Sequence, residues 1–178
     1  MGQRAKAFPG RRLRALPALA LILGLLCPPS AGAQPTDRGP VTNLPLPRFV
    51  SLKSAEGNAR RGPSLSHRID WIYKRRALPL EVTAEYENWR RVRDRDGAGG
   101  WVHYSLLSGV RTVLIERDMV EMHARPSAES ETLAMAEMGV VARLGACTPD
   151  WCRISAGGES GWVTKDTLWG VSPDEVRE

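Results

Sequence analysis

The side chains that could do covalent or metal chemistry are few. Cys147 and Cys152 flank Thr148-Pro149-Asp150-Trp151. A redox dithiol ordinarily has two intervening residues at the start of a helix. Here four residues stand between the cysteines, among turn-forming types, so a disulfide pinning the base of a tight turn is expected. Closing so short a ring stabilises by roughly 2 kcal/mol in the chain-entropy model. The histidines are His67, His103 and His123. Neither their spacing nor that of the cysteines matches a metal-ligand motif. A Cys–His nucleophile needs a free thiol beside a base, and the two thiols are expected to be bonded to each other. Gly97-Ala98-Gly99-Gly100 follows turn residues, not a strand that opens into a phosphate-binding helix, and reads as a hairpin loop. The inventory points to no catalytic residue, no metal and no cofactor, and so to a protein that is not an enzyme.

Tryptophan and arginine carry the remaining chemistry. Trp89 and Val92 are three residues apart, so a regular strand puts them on opposite faces. With Val92 in a core, Trp89, Arg91 and Arg93 face outward. The same parity sets Trp151 and Arg153 opposite Ile154. A hairpin centred near Arg95 would place Trp89 across from Trp101. One centred between Ala156 and Gly157 would place Trp151 across from Trp162. Trp89, Arg91, Trp101, Trp151 and Trp162 are therefore the candidate ligand-binding residues, an aromatic platform for a peptide or glycan. The competing reading is two structural tryptophan pairs, each stabilising its sheet by roughly 0.5–1.5 kcal/mol beyond burial.

These residues must be positioned by short strands. Pro79-Leu80-Glu81-Val82-Thr83-Ala84-Glu85 alternates as a half-buried strand does. Asp94-Arg95-Asp96-Gly97 and Ala156-Gly157-Gly158 are turn signals between such runs. The best helical stretch, Ser127 to Met138, is short and breaks at Gly139. The chain also repeats itself. Pro63 corresponds to Pro126, Trp89 to Trp151, Trp101 to Trp162 and Gly109 to Gly170, at offsets of 63, 62, 61 and 61 residues. In this alignment His123 takes the place of Asn58. Units of about 60 residues made of short strands suit small, strongly bent five-stranded barrels.

The Asn58-Ala59-Arg60 loop with Gly62-Pro63-Ser64, the later Trp89-Arg90-Arg91-Val92, and Gly100-Trp101-Val102 followed by Leu107-Ser108-Gly109 resemble the bacterial Src-homology-3 (SH3) domain family. With Trp71-Ile72-Tyr73 and Leu78-Pro79-Leu80-Glu81-Val82, the string is similar to the tandem form in exported proteobacterial proteins. The resemblance covers roughly residues 48–171. It departs in the second repeat, where the loop glycine before Pro126 is missing. It implies an all-β fold of two tandem SH3-like small β-barrels after a cleaved signal peptide. It also implies a binding or scaffold role in the cell envelope. The expected organisation is a signal peptide (1–33), a Pro-rich linker (34–47), a first repeat (48–111), a second repeat (112–171) and a C-terminal tail (172–178).

The leader has its own signature. Arg4, Lys6, Arg11, Arg12 and Arg14 precede the apolar run Ala15–Leu26 and the small-x-small site Ala31-Gly32-Ala33, the order of a secretory signal. The general export route fits better than the twin-arginine one, and Leu26 before Cys27 argues against lipidation. The mature chain would begin at Gln34, in the periplasm or otherwise exported. The apolar run is too short to span a bilayer, so no stable membrane span is expected after cleavage. Without the leader, 20 basic residues face 20 acidic ones, which removes the main support for a nucleic-acid partner. Residues 48–111 hold 13 basic and 7 acidic side chains, net +6, and residues 112–178 hold 6 and 12, net −6. Arg60, Arg61, Arg68, Lys74, Arg75 and Arg76 could capture an anionic partner, but the complementary charge in the same chain makes pairing with the second repeat the expected arrangement. The repeats should therefore dock, with the apolar connector Val113-Leu114-Ile115 buried as a shared strand or beneath their interface. The leading partners are a cell-wall peptide or an envelope protein segment. The alternative is an accessory or inhibitor subunit on a folded envelope enzyme.

Overall fold

A computed structural model describes residues 38–178. The leader, its cleavage point before Gln34 and residues 34–37 lie outside the described residues. The first half forms β1 (Arg48–Leu52), β2 (Gly57–Arg60), β3 (Ile69–Tyr73), β4 (Pro79–Tyr86), β5 (Trp89–Arg93), β6 (Gly99–His103) and β7 (Leu107–Ser108). The second half forms β8 (Thr112–Ile115), β9 (Val120–His123), β10 (Thr132–Ala136), β11 (Val141–Cys147), β12 (Trp151–Ala156), β13 (Glu159–Thr164) and β14 (Leu168–Trp169). The two antiparallel sheets have the orders β3-β2-β6-β5-β4-β1-β7 and β10-β9-β13-β12-β11-β8-β14. Repetition in sequence is thus repetition in topology, and the expected all-β architecture of two tandem small barrels is what the chain adopts, with seven strands in each sheet where five were expected.

Each barrel closes over its own core. Leu52, Ala59, Tyr73, Leu80, Val82, Val92 and Val102 fill the first. Val113, Ile115, Met122, Leu144, Ile154 and Val163 are among those that fill the second. The strict alternation expected for residues 79–85 fails, because Pro79 through Val82 are all buried. Glu81 and Glu85 are the polar residues drawn inside. Glu81 pairs with Arg93 directly across the β4–β5 ladder, and Glu85 meets Arg48 at 2.6 Å and Arg90 at 3.4 Å.

The described part of the linker departs from an extended rod. The Gly39 amide donates to the Leu44 carbonyl and the Asn43 amide to the Gly39 carbonyl, both at 2.8 Å. This turn is fastened to Glu85, which accepts from the Val41 amide (3.1 Å), the Thr42 amide (2.9 Å) and Thr42 Oγ1 (2.6 Å). A carboxylate buried beneath the turn supplies the acceptors that a solvated polyproline segment would take from water. The tail is held as well. The Cys147 amide donates to the Arg177 carbonyl at 2.8 Å, and the Arg177 amide returns the bond at 3.1 Å. Cys147 and Cys152 are joined as a disulfide.

The connector is shorter than the sequence suggests. Val113 and Ile115 are fully buried in the core of the second barrel, as part of its own strand β8. β8 is hydrogen-bonded within the second sheet alone, so it is not a strand shared by the two barrels. Side chains around it join the barrels. Phe49 lies edge-on to Trp169 at 5.3 Å, with the Arg111 guanidinium 5.7 Å from the Phe49 ring centre. Thr112 Oγ1 donates to the Ala77 carbonyl and Arg75 to the Gly139 carbonyl, each at 2.7 Å. Arg95 and Glu116 form an ion pair across the junction at 2.8 Å.

Candidate functional site

The two central hairpins set the face on which the candidate residues stand. In the first barrel, Asp94 Oδ1 accepts the amides of Asp96 (3.1 Å) and Ala98 (2.8 Å). The Asp94 amide also donates to the Ala98 carbonyl at 2.9 Å. This closes a loop centred on residue 96, one position beyond Arg95, so Trp89 pairs with His103 and Arg91 with Trp101. In the second barrel Gly157 and Gly158, at φ +62° and +92°, make the two-residue turn that positive-φ residues favour. Trp151 then pairs with Thr164, and Arg153 with Trp162. Neither expected tryptophan pair forms. Each is replaced by an arginine directly across from a tryptophan.

The five candidates therefore separate. Arg91 and Trp101 come together on the outer face of β5 and β6, and Trp162 and Arg153 occupy the corresponding place in the second barrel. Trp89 keeps the outward side that parity gives it but is covered there. It is only 7% exposed, because its ring is covered edge-on by His103 at 5.4 Å. Trp151 is half-buried and makes the same edge-on contact, at 5.4 Å, with His123. Trp89 thus offers little surface to a ligand, whereas Trp151, with His123, lines a small cavity of about 240 Å³.

Sheet order adds a residue that was not linked to this face in the sequence. β2 lies beside β6, in a register that sets Arg60 opposite Trp101. Arg60, Trp101 and Arg91 make one row across three strands. In the second barrel the row is His123, Trp162 and Arg153. His123 thus occupies the place of Arg60, not of Asn58. The two are also alike in what they hold. Arg60 Nη1 donates to the carbonyls of Leu65 (3.1 Å) and His67 (2.7 Å), and His123 Nδ1 lies 2.9 Å from the carbonyl of Ser130. Each closes the loop that follows its strand.

The first row borders an open groove of about 670 Å³ lined by Arg60, Arg61, Asp70, Arg91, Arg93 and Trp101, among others. Gly99 and Gly100 floor it. A Cβ on Gly99 would run into the Val92 carbonyl, and one on Gly100 would stand 2.6 Å from the Arg60 carbonyl. Arg61 hydrogen-bonds Asp70 and, with Arg68 beside it, holds that carboxyl below the ordinary range. Glu81 raises the pKa of Arg93 in the same way. Asp70 and Glu81 thus answer Arg61, Arg68 and Arg93, whereas Arg60 and Arg91 have no carboxylate partner among the described residues. In the second barrel Arg153 lines a separate groove of about 460 Å³ that lacks both Trp162 and His123. Of the six basic residues flagged in the sequence, Arg75 alone reaches the second repeat, and it does so through a backbone carbonyl. Among the described residues no three His, Cys, Asp or Glu side chains gather as a metal site, and no helix is long and apolar enough to cross a membrane.

Among solved structures the chain is similar to NlpC2 from Trichomonas vaginalis, at 14% identity and a TM-score of 0.33, covering 69% of this chain and 48% of that one. It is similar to NlpC1 from the same organism, at 14% and 0.32, covering 68% and 45%. An NlpC/P60 family protein from Bacillus cereus ATCC 10987 is similar at 11% and 0.31, covering 68% and 55%. The chain spans about half the length of these proteins. No curated protein matches it. The model of the bacterial SH3 domain family matches twice, over residues 53–109 and 116–170, one match to each barrel. The chain belongs to the bacterial SH3 domain family and carries its domain in tandem.

Proposed function

We propose that this protein is an exported, non-enzymatic binding module of the cell envelope. Its first barrel grips an extended ligand bearing a carboxylate, with a peptidoglycan stem peptide as the leading candidate. The observation that carries this reading is the Arg60–Trp101–Arg91 row along the groove, in which Arg91 has no acidic partner among the described residues. A guanidinium next to an aromatic face suits a peptide that presents a carboxylate and a flat or apolar flank. Arginine and tryptophan are also the residue types that dominate binding energy at interfaces. The closed disulfide supports an oxidising compartment, which fits export to the periplasm. A folded envelope enzyme as partner would be favoured by a flat apolar patch in place of a groove, and the groove at Arg91 is rimmed by charge.

The test is co-sedimentation of the purified protein with cell-wall sacculi, compared with capture from periplasmic extract. Wild type should pellet with sacculi and release no muropeptides. Arg91→Ala combined with Trp101→Ala should weaken retention at least about tenfold, equivalent to ~1.4 kcal/mol, with unchanged melting. Equal retention of wild type and variant would reject the groove. Release of muropeptides abolished by a single substitution would reject the non-enzymatic reading.

A further inference from the structure

Each sheet ends in a five-residue strand that is paired on one side only, β3 in the first barrel and β10 in the second. Both are unusually apolar on their exposed surfaces. Ile69, Trp71, Ile72, Leu133 and Met135 are each between 41% and 49% exposed. An exposed edge with large apolar side chains is a template for another strand, and proteins ordinarily blunt such edges with a bulge, a proline or a central lysine. Each strand carries one register irregularity against its paired neighbour, at Asp70 in β3 and at Leu133 in β10, but neither contains proline or lysine.

The charges that flank the two edges are opposite. Arg68 precedes β3, and Lys74 and Arg76 follow it. Glu129 and Glu131 precede β10, and Glu137 follows it. All six are exposed, and among the described residues only Arg68 is in an ion pair, with Asp70. Laying Ile69–Tyr73 antiparallel against Thr132–Ala136, the sense of every other ladder in both sheets, sets Lys74 against Glu131, Arg76 against Glu129 and Arg68 against Glu137. The same alignment sets Ile72 against Leu133. Two β3 edges in this orientation would instead oppose basic ends, and two β10 edges acidic ones, both destabilising.

We propose that the β3 edge of one molecule pairs with the β10 edge of a second copy of this chain, so that the protein associates head to tail. Such a contact is heterologous. Each added molecule leaves one β3 edge and one β10 edge free, so association continues into an open chain unless a ring closes it. For a module that grips a repeating polymer, the result is a row of grooves along it, and weak single-site binding gains from multivalency.

Sedimentation velocity of the purified protein over a range of concentration and salt tests the idea, with Ile72→Lys to block β3 and Leu133→Lys to block β10. Both positions are exposed, and lysine at an edge is compatible with the barrel. Wild type should gain mass with concentration and lose it with added salt. Each variant alone should remain monomeric, and an equimolar mixture of the two should stop at a dimer, because one intact edge of each kind remains. Lys74→Glu should weaken association, and adding Glu131→Lys in the same chain should restore it. A wild type monomeric at every soluble concentration overturns the proposal. So does a mixture that stays monomeric while wild type associates, or an oligomer that survives both single substitutions.

Discussion

At the scale of single residues, Glu85 is the one whose role local pattern conceals. Its side chain has no exposed surface. Burial by itself would raise its pKa. The hydroxyl and amide of Thr42, the Arg48 guanidinium and the Val41 amide outweigh that and hold the carboxyl down at about 2. Because the folded-state value lies below the ordinary 4.5, the stabilisation is complete above that ordinary value and fades as pH falls towards 2. Melting of the wild type should therefore decline across this acid range. Glu85→Gln should melt lower near neutrality and show a flatter profile from pH 4.5 to 2. Glu85→Ala should cost about 3–5 kcal/mol by leaving Arg48 and Arg90 without their shared partner. An unchanged acid profile in the glutamine variant would refute this account. None of this is legible from Glu85 itself, which looks like any acidic residue on an alternating strand. Apart from Arg90, its partners lie 37 and 43–44 residues away. Arg91 was legible because parity is a local property of a strand. Arg60 was not, because its place in the row depends on β2 lying beside β6.

At the scale of elements, strands were legible from alternation and turn residues, but their register was decided by turn chemistry. Asp94 accepting two amides, and two glycines at positive φ, each moved the hairpin centre by one residue and the cross-strand partner by two. A two-residue shift keeps every side chain on its face, which is why the outward face of Arg91 survived while the tryptophan pairs did not. The β11–β12 hairpin carries a further element-scale device. Its disulfide sits at the strand where the tail is paired, through Cys147 and Arg177. Replacing both cysteines by serine should cost about 2 kcal/mol from loop entropy. It should also speed amide exchange at Cys147 and Arg177 ahead of the remaining second barrel, with the first barrel unaffected. Exchange that accelerates equally in both barrels would contradict this. Ile115, by contrast, is a core residue of the second barrel, so a charge there is a lesion of that barrel and does not probe docking.

At the scale of the whole molecule, the tandem organisation was legible because four anchors recur at nearly one offset. The manner of docking was not. The +6 and −6 halves and the apolar connector suggested a docking oriented by charge and held by burial of Val113 and Ile115, whereas the structure joins the barrels by Phe49 on Trp169, by hydrogen bonds to backbone carbonyls and by the ion pair of Arg95 with Glu116. Exposed ion pairs contribute little net free energy, and an aromatic pair about 0.5–1.5 kcal/mol beyond its burial. Phe49→Ala should therefore broaden the solution-scattering profile of the monomer. Arg95→Ala or high salt should leave it nearly unchanged, and the reverse ranking would show that charge holds the barrels together. One feature of the sheets reaches beyond stability. In both barrels the first strand pairs with the last, Ser51 with Ser108 and Leu114 with Trp169. Neighbouring strands are about 4.8 Å apart, so the chain leaves each barrel almost where it came in. A gene segment encoding one barrel can then be copied or deleted with hardly any change in the path of the flanking chain. The near-constant offset between the two halves is the trace such a duplication leaves, and the number of barrels is a quantity that evolution can alter without redesigning either fold.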